Sequence, residues 1–220
     1  MIRSLDAICS FSGYSFTIMT LFLHSESVFS SLTTIMPRVD WATGVLEGLE
    51  IGHSRKTLGD IRHLFLDQKA AESLAPERLI YTVNWWSPVP EKTEGGLFWG
   101  TTAIEPGQVG NEYFMTHGHF HAKSDRTEFY ATVQGRGALI LMDEQRKTWT
   151  EEMAPGSLHH IPPRTAHRVA NTGSVSLHFV ACWPSDAGYD YAEIRNNGFG
   201  ARLLSVHGSP VLVDGTHARA

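Results

Sequence analysis

Apolar positions along this chain recur at short spacing. From Met36 onward, brief apolar or alternating runs follow one another: LIYTVNWW (79–86), LFWGTTAI (97–104), EYFMTHGHFH (112–121), EFYATV (128–133), GALILM (137–142), KTWTEE (147–152), SLHHI (157–161) and VSLHFVACW (175–183). They are rich in β-branched and aromatic residues, and Gly, Pro or Asp separates most of them, so each predicts a strand. Regular short strands without intervening helices predict an all-β sandwich or barrel rather than βαβ units. One stretch reads differently. SRKTLGDIRHLFLDQKAAESLA (54–75) places Leu58, Ile61, Leu64 and Phe65 at helical spacing, and Pro76 follows, predicting one helix. Before it, VDWATGVLEG (39–48) predicts an extended arm with a Gly turn, and the polar stretch from Gly208 to Ala220 predicts a frayed tail.

Residues 1–35 have another character. They are rich in Ser, Thr and Phe, and their apolar run FTIMTLFL (16–23) falls short of the roughly 20 residues a membrane span needs. Asp6 lies near the front and no small-residue cleavage pattern follows, which argues against a signal peptide. We read 1–35 as a disordered extension or the product of an upstream start, and 36–220 as the folded domain.

Composition narrows the class. The formal net charge is -5 and no basic run occurs, which argues against a nucleic-acid partner. Cys9 and Cys182 are too few for a disulfide framework, and a reduced cytoplasmic setting suits them. Cys182 sits in HFVACW and is expected in the core. The chain has 12 histidines, several of them crowded between His117 and His178, and this crowding points to chemistry.

On a strand, His119 and His121 project to one face. After the turn AKSDRT, Glu128 returns alongside, and beyond the stiff Pro162-Pro163 turn His167 opens another strand. Three imidazoles and one carboxylate suit a divalent transition metal: Fe(II), Mn(II), Co(II), Ni(II) or Zn(II). The thiolates that would select Zn or Cu(I) are absent from the set. His117 is expected at the rim, His159 and His160 in the wall or on the surface, and Lys123 and Arg126 as solvated turn charges.

The pattern H-x-H, six residues, Glu128, six residues, Gly135 resembles the first cupin motif, and Gly156-x5-Pro162-x4-His167-x3-Asn171 resembles the second. THGHFHAKSDRTEFY, PPRTAHRVANTG, WPSDAGYDYAEIRNNGF, VDWATGVLEG and TTAIEPGQVGNEYFMT resemble the cupin-type phosphoglucose isomerases, metal-dependent enzymes of archaea and some bacteria. The likeness spans roughly Val39 to Leu204.

The resemblance implies a jelly-roll-like cupin β-barrel with a short N-terminal helix and arm. It implies a single metal, Fe(II) foremost, held by His119, His121, Glu128 and His167. It implies glucose 6-phosphate and fructose 6-phosphate as substrates, and a homodimer in which the arm crosses to the partner. Substrate phosphate would contact Tyr81, Thr102, Thr116, Gly118 and Tyr130, while Tyr191 would stand near the sugar. Tyr189 departs from the family, which usually has histidine there as A-G-H-D-Y. Glu128 is the candidate base for moving hydrogen between C1 and C2, through a cis-enediol, with a hydride shift as the alternative route. Two rival readings use the same ligands: an iron-dependent cupin dioxygenase, and a sugar-phosphate-binding cupin without catalysis.

Overall fold

Residues 36–215 are described by the computed structural model. The readings of 1–35 and 216–220 lie outside the described residues. The chain opens with a hairpin, β1 (Arg38–Asp40) and β2 (Val45–Glu47), turning at Gly44. β3 (Ile51–Thr57), β4 (Leu79–Trp86) and β5 (Leu97–Ile104) pair antiparallel in succession. Two-residue β6 (Gln108–Val109) and β7 (Glu112–Tyr113) precede the ligand-bearing stretch. β8 (Glu128–Gln134), β9 (Gly137–Met142), β10 (Thr148–Met153), β11 (Leu158–Ile161), β12 (Ala166–Asn171) and β13 (Leu177–Pro184) follow, and β14 (Ala201–Val206) and β15 (Ser209–Asp214) close the chain.

Their ladders give a six-stranded sheet ordered β11-β8-β13-β5-β4-β3, a three-stranded sheet β10-β9-β12 and a four-stranded sheet β15-β14-β7-β6. Ile104, Phe179 and Ala181 of the first share one core with Leu139, Leu141 and Val169 of the second. The fold is all-β, as expected, but among the described residues the hydrogen-bonded ladders remain open sheets and do not close into a barrel. Alternation decides what faces the interior. On β8, Glu128, Tyr130 and Thr132 are buried while Phe129 between them is exposed.

The two motif residues after the ligands have structural work. Gly135 turns β8 into β9 at φ +82°, where a Cβ would meet the Ser176 carbonyl oxygen at 2.7 Å. Asn171 is fully buried; its amide donates to the carbonyls of Ile104 (2.8 Å) and Val175 (2.9 Å), and its Oδ1 accepts from Gly173 N–H (2.9 Å). It thereby satisfies backbone groups that the turn into β13 would otherwise strand.

Several expectations need correction. The helix expected over 54–75 is broken: Ser54–Thr57 belong to β3, and only α1 (Leu58–Ile61), a 3-10 turn (Arg62–Leu64) and α2 (Gln68–Ser73) are helical. The Asp60 carboxylate accepts from Thr57 N–H (2.8 Å) and Thr57 Oγ1 (3.0 Å), which fixes the start of α1 at the end of β3. Asp67 restarts the helix by accepting from Ala70 N–H at 2.9 Å. Leu58, Ile61, Leu64 and Phe65 are nonetheless all buried, so the spacing marked the right face. The tail is no frayed end over Ser209–Asp214, which pairs with β14 along its length. The expected strand 112–121 holds its ladder only at Glu112–Tyr113 and continues through single bridges at Met115, His119 and Phe120. Cys182 is half-buried on the outer face of the six-stranded sheet rather than in the core.

Candidate functional site

Register brings the ligands together. His119 bridges His167 of β12 through two backbone hydrogen bonds, His119 N–H to His167 O (3.2 Å) and His167 N–H to His119 O (3.1 Å). Glu128 begins β8 on its inward face, and His121 lies two residues beyond His119. One ligand atom from each of His119, His121, Glu128 and His167 lies within 4.8 Å of the others. Metal-bound N and O atoms sit about 2.0–2.2 Å from their ion, so small side-chain adjustments suffice to bring all four onto one centre.

The reversal between His121 and Glu128 is held by a buried charge. Asp186, just after β13, accepts from Lys123 Nζ (2.8 Å), Arg126 Nε (2.9 Å) and Arg126 Nη2 (2.7 Å). Its side chain is 1 % exposed. Lys123 and Arg126 are therefore not the free turn charges expected, because the segment leaving β13 folds back onto the turn. Arg126, and then Lys123, hold the Asp186 carboxyl well below the usual range.

Hydrogen bonding favours a cation at the centre. His121 Nδ1 lies 3.1 Å from the Arg126 carbonyl, to which it can only donate. In the neutral ring this leaves the Nε2 lone pair turned inward, the tautomer a metal ligand needs. Among the described residues His119 Nε2 and His167 Nε2 are buried without a hydrogen-bond partner, although His167 Nε2 lies 3.1 Å from Glu128 Oε2. Buried, unpaired nitrogens of this kind are costly unless something else satisfies them. Three nitrogen donors and one carboxylate, with no thiolate, fit a divalent transition ion.

Burial, then the neighbouring His167 and His121 rings, holds His119 well below the ordinary histidine range. At His121 burial also pushes down, but the hydrogen bond from Nε2 to Glu128 (3.2 Å) and the carboxylate's charge override it, and the net shift is upward. Burial likewise pushes Glu128 up, and the His121 and His167 imidazoles more than offset it, leaving it lowered. His63, His117 and His178 are all lowered, chiefly by burial. A depressed histidine is neutral in the fold but protonated in the unfolded chain below about pH 6.5, so its stabilising contribution is lost on acidification. The raised His121 acts in the opposite sense, above that pH. Metal-free protein is accordingly expected to lose stability as the pH falls from 6.5 to 5, because four lowered histidines outnumber one raised. Thermal melts of chelated protein check this; a melting temperature constant over that interval contradicts it.

Above the centre opens a cavity of about 310 Å³, within the range of small-molecule sites. His119, Glu128 and His167 line it, together with Tyr81, Thr102, Thr116, Gly118 and Tyr130. Tyr189 and Tyr191 complete its mouth, stacked on each other at 5.8 Å, with the Tyr189 ring 4.9 Å from that of His119. Burial pushes the Tyr81 phenol up to about 12 and raises those of Tyr130, Tyr189 and Tyr191, so all four remain hydrogen-bond donors at neutral pH. His117 sits at the rim as expected, its ring 4.8 Å from Tyr191. His159 is a wall residue, holding Glu151 Oε2 at 2.7 Å and Ser157 Oγ at 2.8 Å. The Ser157 oxygen is also engaged by Thr132 and the Ala154 N–H, which makes this a strand tie.

Sequence reasoning missed Lys56, Ser54 and Trp183, which also line the cavity, and Arg168, buried behind it. Lys56 was hidden by the helical spacing that follows it; the alternation Gly52, Ser54, Lys56 was the available signal.

The sequence model of the glucose-6-phosphate isomerase (GPI) family matches residues 55–216. The glucose-6-phosphate isomerase of Thermococcus gammatolerans is 37% identical over 178 residues, covering 80% of this chain and 92% of that protein. That of Pyrococcus furiosus is 36% identical over 177 residues, covering 80% and 93%. A putative glucose-6-phosphate isomerase 2 of Rhizobium meliloti is 34% identical over 191 residues, covering 82% and 94%. Among solved structures, oxalate decarboxylase from Bacillus subtilis aligns with a TM-score of 0.39 at 18% identity, over 50% of this chain and 26% of that one. With the match running from β3 to the end of the described residues, and relatives covered almost whole, this chain belongs to the glucose-6-phosphate isomerase family.

Proposed function

We propose that the chain interconverts glucose 6-phosphate and fructose 6-phosphate with one bound divalent metal, Fe(II) foremost and Mn(II), Co(II), Ni(II) or Zn(II) also suited. The observation that carries this reading is the convergence of His119, His121, Glu128 and His167 beneath a cavity walled by Tyr and Thr hydroxyls. Held by these four residues, the ion would act as a Lewis acid toward charge developing on the sugar oxygens, worth several kcal/mol.

The remaining work falls to the chain. Glu128 removes the proton from C2 of the open aldose and returns it to C1, through a cis-enediol; positioned base catalysis of this kind typically contributes about 10²–10⁴-fold. Tyr81, Thr102, Thr116 and Tyr130 donate hydroxyl hydrogen bonds that orient the phosphorylated end, and Gly118 lets the backbone approach it. Tyr191 and Tyr189 cover the reacting carbons and exclude water. Tyr189 replaces the family's usual histidine, and its raised phenol stays protonated, so it contributes a donor and no proton-accepting base at neutral pH.

A coupled assay of fructose 6-phosphate isomerisation on metal-loaded protein tests the proposal. Steady formation of glucose 6-phosphate is expected. Binding of fructose 6-phosphate without turnover or exchange of the C2 hydrogen identifies a sugar-phosphate-binding cupin instead, and oxygen uptake identifies a dioxygenase.

The protein is further proposed to act as a homodimer in the cytoplasm. Leu97, Phe129 and Leu158 are exposed on the outer face of the six-stranded sheet, beside Trp99, Val180 and Cys182, and a second copy would bury such a face. Light scattering should give about twice the 24.4 kDa chain mass, and a mass of one chain rules pairing out. No helix among the described residues is long and apolar enough to cross a membrane.

A further inference from the structure

β3 presents Ser54 and Lys56 to the cavity, and Lys56 pairs in register with Tyr81 on β4. Lys56 is half-buried, and among the described residues it has no carboxylate within ion-pair distance. Asp60, whose charge reaches it, is committed to the Thr57 N–H and hydroxyl. Glu91 and Glu128 also line the cavity but neither pairs with Lys56, and a half-buried ammonium left without a bonded counter-charge is a site for an anion.

A second observation lies across Tyr81. The Tyr81 hydroxyl accepts the His117 N–H at 3.5 Å, which sets the stretch Thr116–Gly118 beside it. Gly118 is at φ +78°, and a Cβ there would meet Arg168 Cβ at 2.9 Å and Phe199 Cε2 at 2.9 Å. Among the described residues the Gly118 N–H has no hydrogen-bond partner.

A third lies behind that stretch. Arg168 is 5 % exposed; its Nη2 donates to the His117 carbonyl, its Nη1 lies 3.1 Å from Met115 Sδ, and its Nε has no partner among the described residues. Among the described residues no carboxylate bonds it, because the neighbouring Glu112 is taken by Arg202 (2.8 Å) and the Leu66 N–H (2.8 Å). The cavity thus carries Lys56 and the free Gly118 N–H, with Arg168 buried behind the Gly118 stretch, while the carboxylates that line it, Glu128 and Glu91, bond neither cation.

We infer that Lys56 is the direct cationic contact for the phosphate of the substrate, with Arg168 supporting the same end from behind the Thr116–Gly118 turn. This rests on the isomerase reading and adds what hydroxyls alone lack, a charge that separates a phosphorylated sugar from a free one. Lys56 touches the phosphate and not the reacting carbons, so its loss lowers kcat/KM through substrate binding and orientation while leaving the metal site intact.

The test compares metal-loaded wild type with Lys56→Gln and Lys56→Arg. Calorimetric titrations use fructose 6-phosphate and, separately, inorganic phosphate; metal content and steady-state rates are measured alongside. Lys56→Gln is expected to weaken fructose 6-phosphate binding and lower kcat/KM by about tenfold or more, with metal content within about threefold. Lys56→Arg should recover most of the affinity. Lys56→Gln affinities within about twofold of wild type overturn the inference, since a charge-assisted contact is worth more than that. Phosphate binding that depends on Lys56 in a protein that does not isomerise supports the anion site and sinks the isomerase reading. Isomerisation with Lys56→Gln unchanged does the reverse.

Discussion

Glu128→Gln is expected to lower turnover by about 10³-fold while the protein still takes up metal. The substitution keeps the shape of the side chain and its reach toward His121 and His167, and three imidazoles remain as donors. It removes the capacity to accept a proton, and a positioned base is typically worth about 10²–10⁴-fold. The measurement pairs the coupled assay with metal stoichiometry on the same preparation. If rate and metal content fall together, Glu128 is chiefly a ligand. If turnover stays near wild type, the hydrogen passes between C1 and C2 without this carboxylate, and a hydride shift becomes the better description.

Chelation should abolish activity, and Fe(II) or Mn(II) should restore it. The same treatment should lower thermal stability, because it returns His119 Nε2 and His167 Nε2 to a buried state without partners. At a metal concentration near 100 Kd, linkage gives about 2.7 kcal/mol. For a domain of this size that corresponds to about 5–10 °C in Tm. His167→Ala should cancel both the rescue and the shift, since it removes a ligand near the start of β12 while Ala166 and Arg168 keep their pairings. A chelated protein with full activity and an unchanged Tm would exclude a functional metal at these residues.

Legibility in the sequence followed physical range. LIYTVNWW, LFWGTTAI and GALILM carry β-branched or aromatic side chains through uninterrupted ladders, so local pattern and tertiary pairing agree and even the strand ends were right. The ligand set was legible because its residues sit at fixed spacing around two turns. Boundaries failed where a side chain elsewhere decides. The alternation through Ser54 and Lys56 is carried by polar residues and is weak by itself; β4 supplies the partner that makes the segment a strand, while Asp60 sets where the helix begins. The stretch from Gly208 to Ala220 reads as a polar tail, yet its front carries the apolar run Val211–Val213 and β14 pairs with all of Ser209–Asp214. Lys123 and Arg126 read as solvated because Asp186, their partner, lies some 60 residues further along. Arg168 gave no signal, since a buried cation follows no local rule.

That long-range tie has a consequence for how this protein can change. Asp186 cross-braces the turn joining two ligands to the segment that bears Tyr189 and Tyr191. The roof of the cavity and the cradle of the ion are thus one mechanical unit, and a substitution that lifts the tyrosines tugs on His121 and Glu128. Accommodating a bulkier sugar is easier on the wall formed by β3, β4 and β5, at Ser54, Val83, Trp85 and Phe98, which line the cavity without holding the ion or the phosphate. Diversification of substrate choice should therefore accumulate on that wall, while the braced side stays fixed.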